Sequence, residues 1–386
     1  RPWVTETGAR ILMPFFYRSM RRIYEAEQPD LVHIEHLMGL PVSVTNDLRE
    51  RGIPFVVTLH DYWYVCANAQ LLTNTDNEIC AGPDEKAVNC ARCAGARAGV
   101  KEVGSAAALF APIMKRRNHQ VGAVLRQAGR IIAPTRFVKD IYLSIAAGDL
   151  AIDVLPHGID LPEMIIEKAH SERRQHRQDG RLHVGYIGSI AWQKGVHVLI
   201  SAINSLSEDD VSLTVYGDLT AFPDYTSHLE GLITRPGIDL RGSLTRETLW
   251  QAIADFDVVV LPTLWFETSV LVIDEVNAMG VPVIGSDIGV MREKIADGVN
   301  GRLFAPGDVT AQPDILSNLS ASPEMCTNWR SKNEAVNSID DHIRALEEIY
   351  AGALNTVSCA IAKKFAGDRI LMQQQLRPAV KTDNVC

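Results

Sequence analysis

The sequence predicts an α/β protein of two doubly wound, Rossmann-like domains, the first of them incomplete at its start. The chain has 386 residues, which is more than a single hydrophobic core usually serves. Short β-branched apolar runs alternate with longer amphipathic segments, the pattern of strand–helix–strand units that form parallel sheets. Residues 167–180 are almost wholly polar and therefore predict a linker between two folded units.

Four strands are expected in the first half and six in the second. The first four cover 30–35, 53–59, 130–134 and 152–156, with a helix over 41–51. The other six cover 182–187, 212–216, 238–241, 257–262, 282–285 and 301–304, enough for a complete doubly wound domain. Because the first half has fewer strands and begins at Arg1 rather than Met, we expect its opening segment to be missing.

These elements divide the chain into four parts. We expect an N-terminal domain over 1–165, a linker over 166–180 and a C-terminal domain over 181–354 that ends in an amphipathic helix. The tail 355–386 receives no predicted fold.

Composition excludes some classes of protein. The formal net charge of -9 and the pI of about 5.7 make nucleic acid a poor partner, because nucleic-acid binding depends on neutralising phosphates with Lys and Arg. No run of 18 apolar residues and no signal peptide is visible in the sequence, so a cytoplasmic location is expected.

A glycine turn in the second half predicts an anion site. Gly188 and Ser189 directly follow a strand, and Lys194 and Gly195 directly precede a helix. Free N–H groups at a helix start, a positive dipole end and a mobile ammonium group together suit a diphosphate. The alternative is an ordinary turn with a surface lysine, since lone glycine motifs are weak signals.

Two glutamates and a second glycine loop follow later strands of the same half. Glu267 lies in the loop after strand 257–262, and Glu275 is expected near the start of the next helix. A carboxylate can accept hydrogen bonds from both hydroxyls of a ribose or from a sugar. For Glu275 the alternative is a helix-capping role. Ser286 and Gly289 belong to the glycine loop, whose alternative is a plain connection.

In this order and spacing, these segments resemble the donor domain of family 4 retaining glycosyltransferases of the GT-B type. The motif runs from Gly188 to Gly301, and flanking segments at 131–137 and 155–160 agree with it. The resemblance implies GT-B architecture, with two domains facing a cleft. It also implies transfer of a sugar from a nucleoside diphosphate sugar to an acceptor hydroxyl, with that donor as co-substrate and no metal cofactor.

The resemblance also assigns roles. Lys194 would contact the diphosphate, Glu275 the ribose and Glu267 the transferred sugar. The loop from Ser286 to Gly289 would line the phosphates. His60, after strand 53–59, would face the donor sugar. Its alternative is a structural histidine at the strand end, hydrogen-bonded with the help of Asp61.

Three departures keep other functions open. Many family members have Arg where this chain has Ser189, and a Gly-Gly pair where it has Gly289-Val290. The family's N-terminal glycine loop is absent. A non-catalytic GT-B homologue or nucleotide-sugar-binding module is therefore the main alternative, and a nucleotide-sugar epimerase ranks below it.

The acceptor half carries a cysteine group. Cys66, Cys80, Cys90 and Cys93 supply four thiols, enough for a tetrahedral structural zinc site, although only one C-x-x-C pair is present. Disulfides and free thiols remain alternatives. A subset of similar glycosyltransferases also has cysteines in this loop.

A basic amphipathic segment over 106–130 suggests a surface role. Such a helix can lie on an anionic membrane, which would suit a lipid-linked acceptor, whereas a glycan acceptor needs no such contact. The alternative is a packed domain helix with a solvated face.

Overall fold

The computed structural model describes residues 18–100, 104–146, 148–160, 162, 166–167, 180–330 and 336–355. The predictions for the first 17 residues, for most of the linker and for the tail after residue 355 lie outside the described residues.

The first domain is a parallel sheet with helices around it, as predicted. Within the described residues its strand order is β1-β2-β3-β4. The strands are β1 Val32–Ile34, β2 Phe55–Thr58, β3 Arg130–Ala133 and β4 Ile152–Val154. The helices are α1 at 18–27, α2 Ser43–Glu50, α3 Val88–Arg97, α4 Ala107–Gln127 and α5 Arg136–Ile145. Val57 of β2 lies beside Ile34 and Ile131, so β2 is buried between two strands.

The second domain is a six-stranded parallel sheet in the order β10-β9-β8-β5-β6-β7. Its strands are β5 Leu182–Ile187, β6 Val211–Tyr216, β7 Ile238–Arg241, β8 Val258–Leu261, β9 Val283–Ser286 and β10 Gly301–Phe304. Its helices are α6 Val196–Ile203, α7 Pro223–Leu232, α8 Arg246–Ala254, α9 Leu271–Ala278, α10 Met291–Lys294, α11 Ala311–Ala321 and α12 Glu324–Arg330.

The strand order of this second sheet reverses between β5 and β8. At such a switch point the loops leaving the two strands diverge, and a crevice opens at their carboxyl ends. The loop after β5 carries Lys194, and the loop after β8 carries Glu267. Two segments that are distant in sequence are therefore placed on the two sides of one crevice.

The last described helix, α13 at 339–355, belongs by its packing to the first domain. Its apolar residues, including Leu346 and Ala353, pack with Val56 and Ile132 of the first sheet. Ser338 pairs with Ile159 just before the helix, so the two chain crossings between domains lie side by side. The sequence predicts this helix as the end of the C-terminal domain 181–354. Its apolar stripe instead covers a face of the first sheet.

Candidate active site

Lys194 and Glu267 form an ion pair at the switch point. The ammonium Nζ lies 2.7 Å from Oε1 and 2.9 Å from Oε2 of the carboxylate. Oε1 also accepts hydrogen bonds from the Thr263 hydroxyl at 3.0 Å and the Trp265 indole at 2.8 Å. The carboxylate is almost buried, and four hydrogen bonds compensate its loss of hydration.

Gly195 brings the start of α6 close to the end of β8. Its φ is +72°, and a Cβ at this position would overlap the carbonyl oxygen of Pro262. The turn occupies 188–195, between β5 and α6, as predicted, and it contains a short 3-10 turn, Trp192–Lys194. Because only glycine fits against Pro262 in this conformation, Gly195 determines the position of the neighbouring Lys194 relative to β8.

A cavity of about 500 Å³ opens at the carboxyl ends of β5 and β6, and the loop after β5 that leads to Lys194 forms part of its wall. Gly188, Ser189, Tyr216 and Arg246 are among its lining residues. Arg246 lies in the first turn of α8, outside every motif that predicted a site residue. It brings a cation to the wall that carries Ser189.

Glu275 is the fifth of the eight residues of α9. It therefore lies further along the helix than predicted, beyond the first turn where capping would place it. Burial raises the pKa of its carboxyl group, Arg246 lowers that pKa, and Asp274 raises it. The charge of Arg246 thus acts on both the cavity and Glu275.

The α9 helix begins after a strained residue. Val270 has φ 54° and ψ 62°, a left-handed conformation that a β-branched side chain rarely adopts. Its neighbour Ser269 is buried, and the segment continues directly from Glu267. Strain of this kind persists only where surrounding packing holds it, and it concentrates at functional sites.

The loop after β9 reaches across to the first domain. The carboxylate of Glu293 accepts hydrogen bonds from the backbone N–H groups of Arg136 and Phe137, at 3.1 and 3.0 Å. Gly289 has φ +55°, and a Cβ there would lie 3.1 Å from the Phe137 ring. The Ser286 hydroxyl is buried and has no hydrogen-bond partner among the described residues.

His60 lies on the first-domain side of the cleft. Its backbone oxygen accepts a hydrogen bond from the Thr268 hydroxyl at 3.0 Å, next to Glu267. Its Nε2 lies 2.6 Å from a carboxylate oxygen of Glu35, and its ring stacks on that of His157. The carboxylate partner is Glu35 rather than the adjacent Asp61, which pairs with His36.

His157 lies in the flanking segment 155–160, but no sequence motif predicts a role for it. Its pKa is lowered to about 4, first by burial and then by the positive charges of His60, His342 and Lys294. Its ring stays neutral at ordinary pH and packs between His60 and His342.

The four cysteines of the first domain are free thiols that line one cavity. Burial raises the pKa of Cys90 to about 12 and also raises the pKa values of Cys80 and Cys93. As their side chains stand, no set of three or more His, Cys, Asp and Glu residues is arranged to hold a metal ion within the described parts of the chain.

The exposed surface of α4 is partly apolar. Leu109 is 78% exposed, and Phe110 and Ile113 are each 56% exposed. Lys115 and Arg116 follow on the same helix and are also exposed. No described helix has both the length and the apolar character needed to cross a membrane.

Comparison with known proteins shows the same two halves. Residues 2–163 match the model of Glycosyltransferase Family 4, and residues 181–321 match that of Glycosyl transferases group 1. The D-inositol 3-phosphate glycosyltransferase of Nocardiopsis dassonvillei is 30% identical over 359 residues, covering 84% of this chain and 70% of that protein. The enzyme of that name from Xylanimonas cellulosilytica is 29% identical over 211 residues, 51% of this chain. That match covers 50% of the relative, so the chain spans about half its length.

Solved structures agree on the fold. Alr3699/HepE from Anabaena, in complex with UDP and glucose, superposes with a TM-score of 0.63 at 19% identity. The match covers 88% of this chain and 81% of that chain. The two parallel-sheet domains and the cleft between them define a GT-B protein. The chain belongs to glycosyltransferase family 4.

Proposed function

We propose that the protein transfers a sugar from a nucleoside diphosphate sugar to an acceptor hydroxyl with retention of configuration. The observation that carries this proposal is the Lys194–Glu267 pair, which joins the loops of β5 and β8 at the switch point. A cation and a satisfied carboxylate at this edge suit the two ends of one activated sugar: the diphosphate and the sugar hydroxyls.

Lys194 would neutralise the leaving diphosphate. An ammonium group has three donors, and the two oxygens of Glu267 engage two of them, leaving one for a phosphate oxygen. Charge that develops on the departing diphosphate is stabilised by a cation held in place before the reaction. The Ser286 hydroxyl and the loop to Gly289 would complete the phosphate site.

Glu267 would position the sugar rather than attack it. Its Oε1 already accepts from Lys194, Thr263 and Trp265, which lowers the nucleophilicity of that oxygen. We therefore favour attack of the acceptor on the face from which the diphosphate departs, through an oxocarbenium-like state. His60, across the cleft, would contact the same sugar.

The cavity at the carboxyl ends of β5 and β6 would hold the nucleoside. Glu275 would accept hydrogen bonds from the ribose hydroxyls. Arg246 would supply the second positive charge that many family members have as Arg at the position of Ser189. The residues that line the cavity do not select one nucleobase. Because Alr3699/HepE was solved in complex with UDP, uridine nucleotides are the first donors to assay.

Turnover with a defined donor tests this proposal. The full chain is incubated with nucleoside diphosphate sugars and hydroxyl acceptors, and the anomeric configuration of the product is read by NMR. We expect retention and no requirement for added Mg²⁺ or Mn²⁺. An inverted product would exclude the retaining mechanism, and an isomerised donor would indicate an epimerase.

Lys194→Ala separates an enzyme from a binding module. Removing a preorganised charge that stabilises the transition state lowers kcat by roughly 10²–10³-fold. Lys86→Ala, at an exposed site in the first domain, is the control and should keep wild-type turnover. Wild-type protein that binds nucleotide sugar but forms no product would support the binding module instead.

A second proposal concerns the acceptor. We propose that α4 contacts an anionic membrane and gives access to a lipid-linked acceptor, because Leu109, Phe110 and Ile113 are exposed beside Lys115 and Arg116. Leu109→Ser combined with Phe110→Ser should reduce sedimentation with anionic vesicles by at least about tenfold. Val309→Ser, at an exposed apolar site of the second domain, should not. Equal sedimentation of all three proteins would favour a glycan acceptor in solution.

A further inference from the structure

The cysteine loop, defined here as residues 66–97, belongs to the first domain and lies between β2 and α4 in the chain. Its secondary structure is confined to α3 and one isolated bridge between Leu72 and Ile79. The core beneath it consists largely of small side chains, among them Ala87, Ala91 and Ala107. Burying alanines removes little apolar area from water, so this cluster contributes little to ordering the part of the loop that contains α3.

The backbone of the loop is strained. Ala69, Leu71, Asn77 and Ala87 all have positive φ, between 50° and 62°. They are four of the six non-glycine residues with positive φ in the described parts of the chain. Each such conformation costs about 1–3 kcal/mol and requires compensation from its surroundings. Ala69 and Leu71 are buried in the main core of the first domain, which can hold them. Ala87 packs in the alanine cluster, which is too small to provide that compensation alone.

The four thiols of the loop converge. Cys66, Cys80, Cys90 and Cys93 all line one cavity of about 60 Å³. A cavity of this size has room for an ion, and Arg97 also lines it.

Hydrogen bonds are directed at the sulfur atoms. The Asn74 backbone N–H and side-chain amide donate to Sγ of Cys93, at 3.4 and 3.2 Å. The backbone N–H of Gly82 donates to Sγ of Cys80 at 3.4 Å. Donors around ligand sulfurs orient them and stabilise the thiolate form that binds metal.

We propose that Cys66, Cys80, Cys90 and Cys93 bind one structural Zn²⁺ that holds the cysteine loop. Four sulfur ligands in a tetrahedron are the preferred set for structural zinc. Since the free thiols as they stand form no ligand set, binding requires the four side chains to rotate onto the cavity. The site lies outside the proposed donor site and does not depend on the reaction there.

The metal would act on the cleft through the start of the loop. Cys66 donates its backbone N–H to the carbonyl of Tyr62 at 2.7 Å, and the Tyr62 hydroxyl donates to the backbone oxygen of Glu267. Zinc would therefore fix the segment between His60 and Cys66 against the second domain. It would position this segment without touching substrate.

Metal content of the full chain tests the proposal. Protein produced with zinc and purified under reducing conditions should carry about one zinc per chain by elemental analysis. Cys90→Ser and Cys93→Ser should retain zinc at least about tenfold less well. Cys326→Ser changes a buried cysteine of the second domain and should retain as much zinc as the wild type.

Cobalt substitution of the wild-type chain provides a readout that needs no variant to fold. Co²⁺ bound by four thiolates gives a near-ultraviolet sulfur-to-cobalt charge-transfer band and intense visible bands. We expect both. Wild-type protein that holds neither zinc nor cobalt in this way overturns the proposal, as do disulfides among these four cysteines found by mass spectrometry of the native chain.

Discussion

The ion pair of Lys194 and Glu267 holds the ammonium group in one position, which neither residue could do alone. Seventy-three positions separate them in the chain, yet Nζ lies within 2.9 Å of both carboxylate oxygens. A lysine held by a carboxylate presents its charge at a fixed point, whereas a free lysine side chain samples many rotamers. In the proposed function, this fixed charge would receive the diphosphate of the donor.

Glu275 should determine recognition of the ribose. We expect Glu275→Gln to weaken binding of the preferred nucleoside diphosphate about tenfold or more, because a hydrogen bond to a charged group contributes about 1.5–3 kcal/mol. Calorimetry with the ribose and the 2′,3′-dideoxyribose nucleotide measures this. The variant should bind both equally, whereas the wild type should prefer the ribose form.

A matched control and a contrary result are both available. Glu230→Gln, at an exposed position of α7, should bind like the wild type. If Glu275→Gln weakens both nucleotides by the same factor, the carboxylate does not recognise the ribose.

His157 should make stability depend on pH. The pKa of His157 is about 4 in the folded protein, against a usual value near 6.5. Between these two pH values the imidazole is therefore protonated in the unfolded chain but neutral in the folded protein. Its contribution to stability is present above about pH 6.5 and is lost as the pH falls from there to about 4. His60, His342, Lys294 and Glu35 are the charged groups that act on it.

Urea unfolding of the wild type and of His157→Gln across this range tests that expectation. The difference in unfolding free energy between the two should change below about pH 6.5 and be constant above it. His228→Gln, on the exposed surface of α7, should run parallel to the wild type. Parallel curves for His157→Gln would show that its protonation is not linked to folding.

At the scale of the element, the close packing of the start of α6 against the end of β8 requires glycine at position 195. Gly195 has a positive φ and lies against Pro262, at the end of β8. We expect Gly195→Ala to lower the free energy of unfolding by more than about 2 kcal/mol, because it adds both backbone strain and steric overlap. Thermal unfolding with and without nucleotide would measure the effect.

Gly231 provides the comparison. It lies within α7, and a Cβ there would meet no atom within 4 Å. Gly231→Ala should therefore stabilise the protein by about 0.5 kcal/mol through a better helix propensity. Similar destabilisation by both substitutions would mean that the close approach of α6 and β8 is not what requires glycine at 195.

At the scale of the whole molecule, a few polar contacts join the domains across the cleft. Thr268 donates to the backbone of His60, and Thr135 donates to the backbone of Thr268. Glu293 accepts from two N–H groups at the start of α5, where a helix dipole favours negative charge. These contacts close the two faces on each other at the level of the Lys194–Glu267 pair.

Glu293 should therefore hold the domains together. In Glu293→Gln one carboxylate oxygen becomes an amide donor, so only one of the two N–H groups of α5 keeps an acceptor. We expect faster amide hydrogen exchange at Arg136 and Phe137, with exchange in α2 unchanged. Glu324→Gln, at an exposed position of α12, serves as control, and unchanged exchange at α5 would contradict a role in closure.

Much of this protein was readable from the sequence by itself. The ten strand predictions coincide with β1 to β10, because a strand is a local run of apolar residues ended by turn residues. The order of glycine, lysine and glutamate motifs identified the family for the same reason, since each motif occupies a few consecutive positions.

Tertiary structure alone decided what those local segments meet. The pairing of Lys194 with Glu267 follows from β5 and β8 being neighbours, and strand order cannot be read from periodicity. Three further contacts also depend on the tertiary structure. The helix α13 packs on the first sheet, and Arg246 lines the cavity. Glu293 accepts hydrogen bonds at the start of α5. An apolar stripe specifies that a helix must be covered, but the surface that covers it is chosen only when the chain folds.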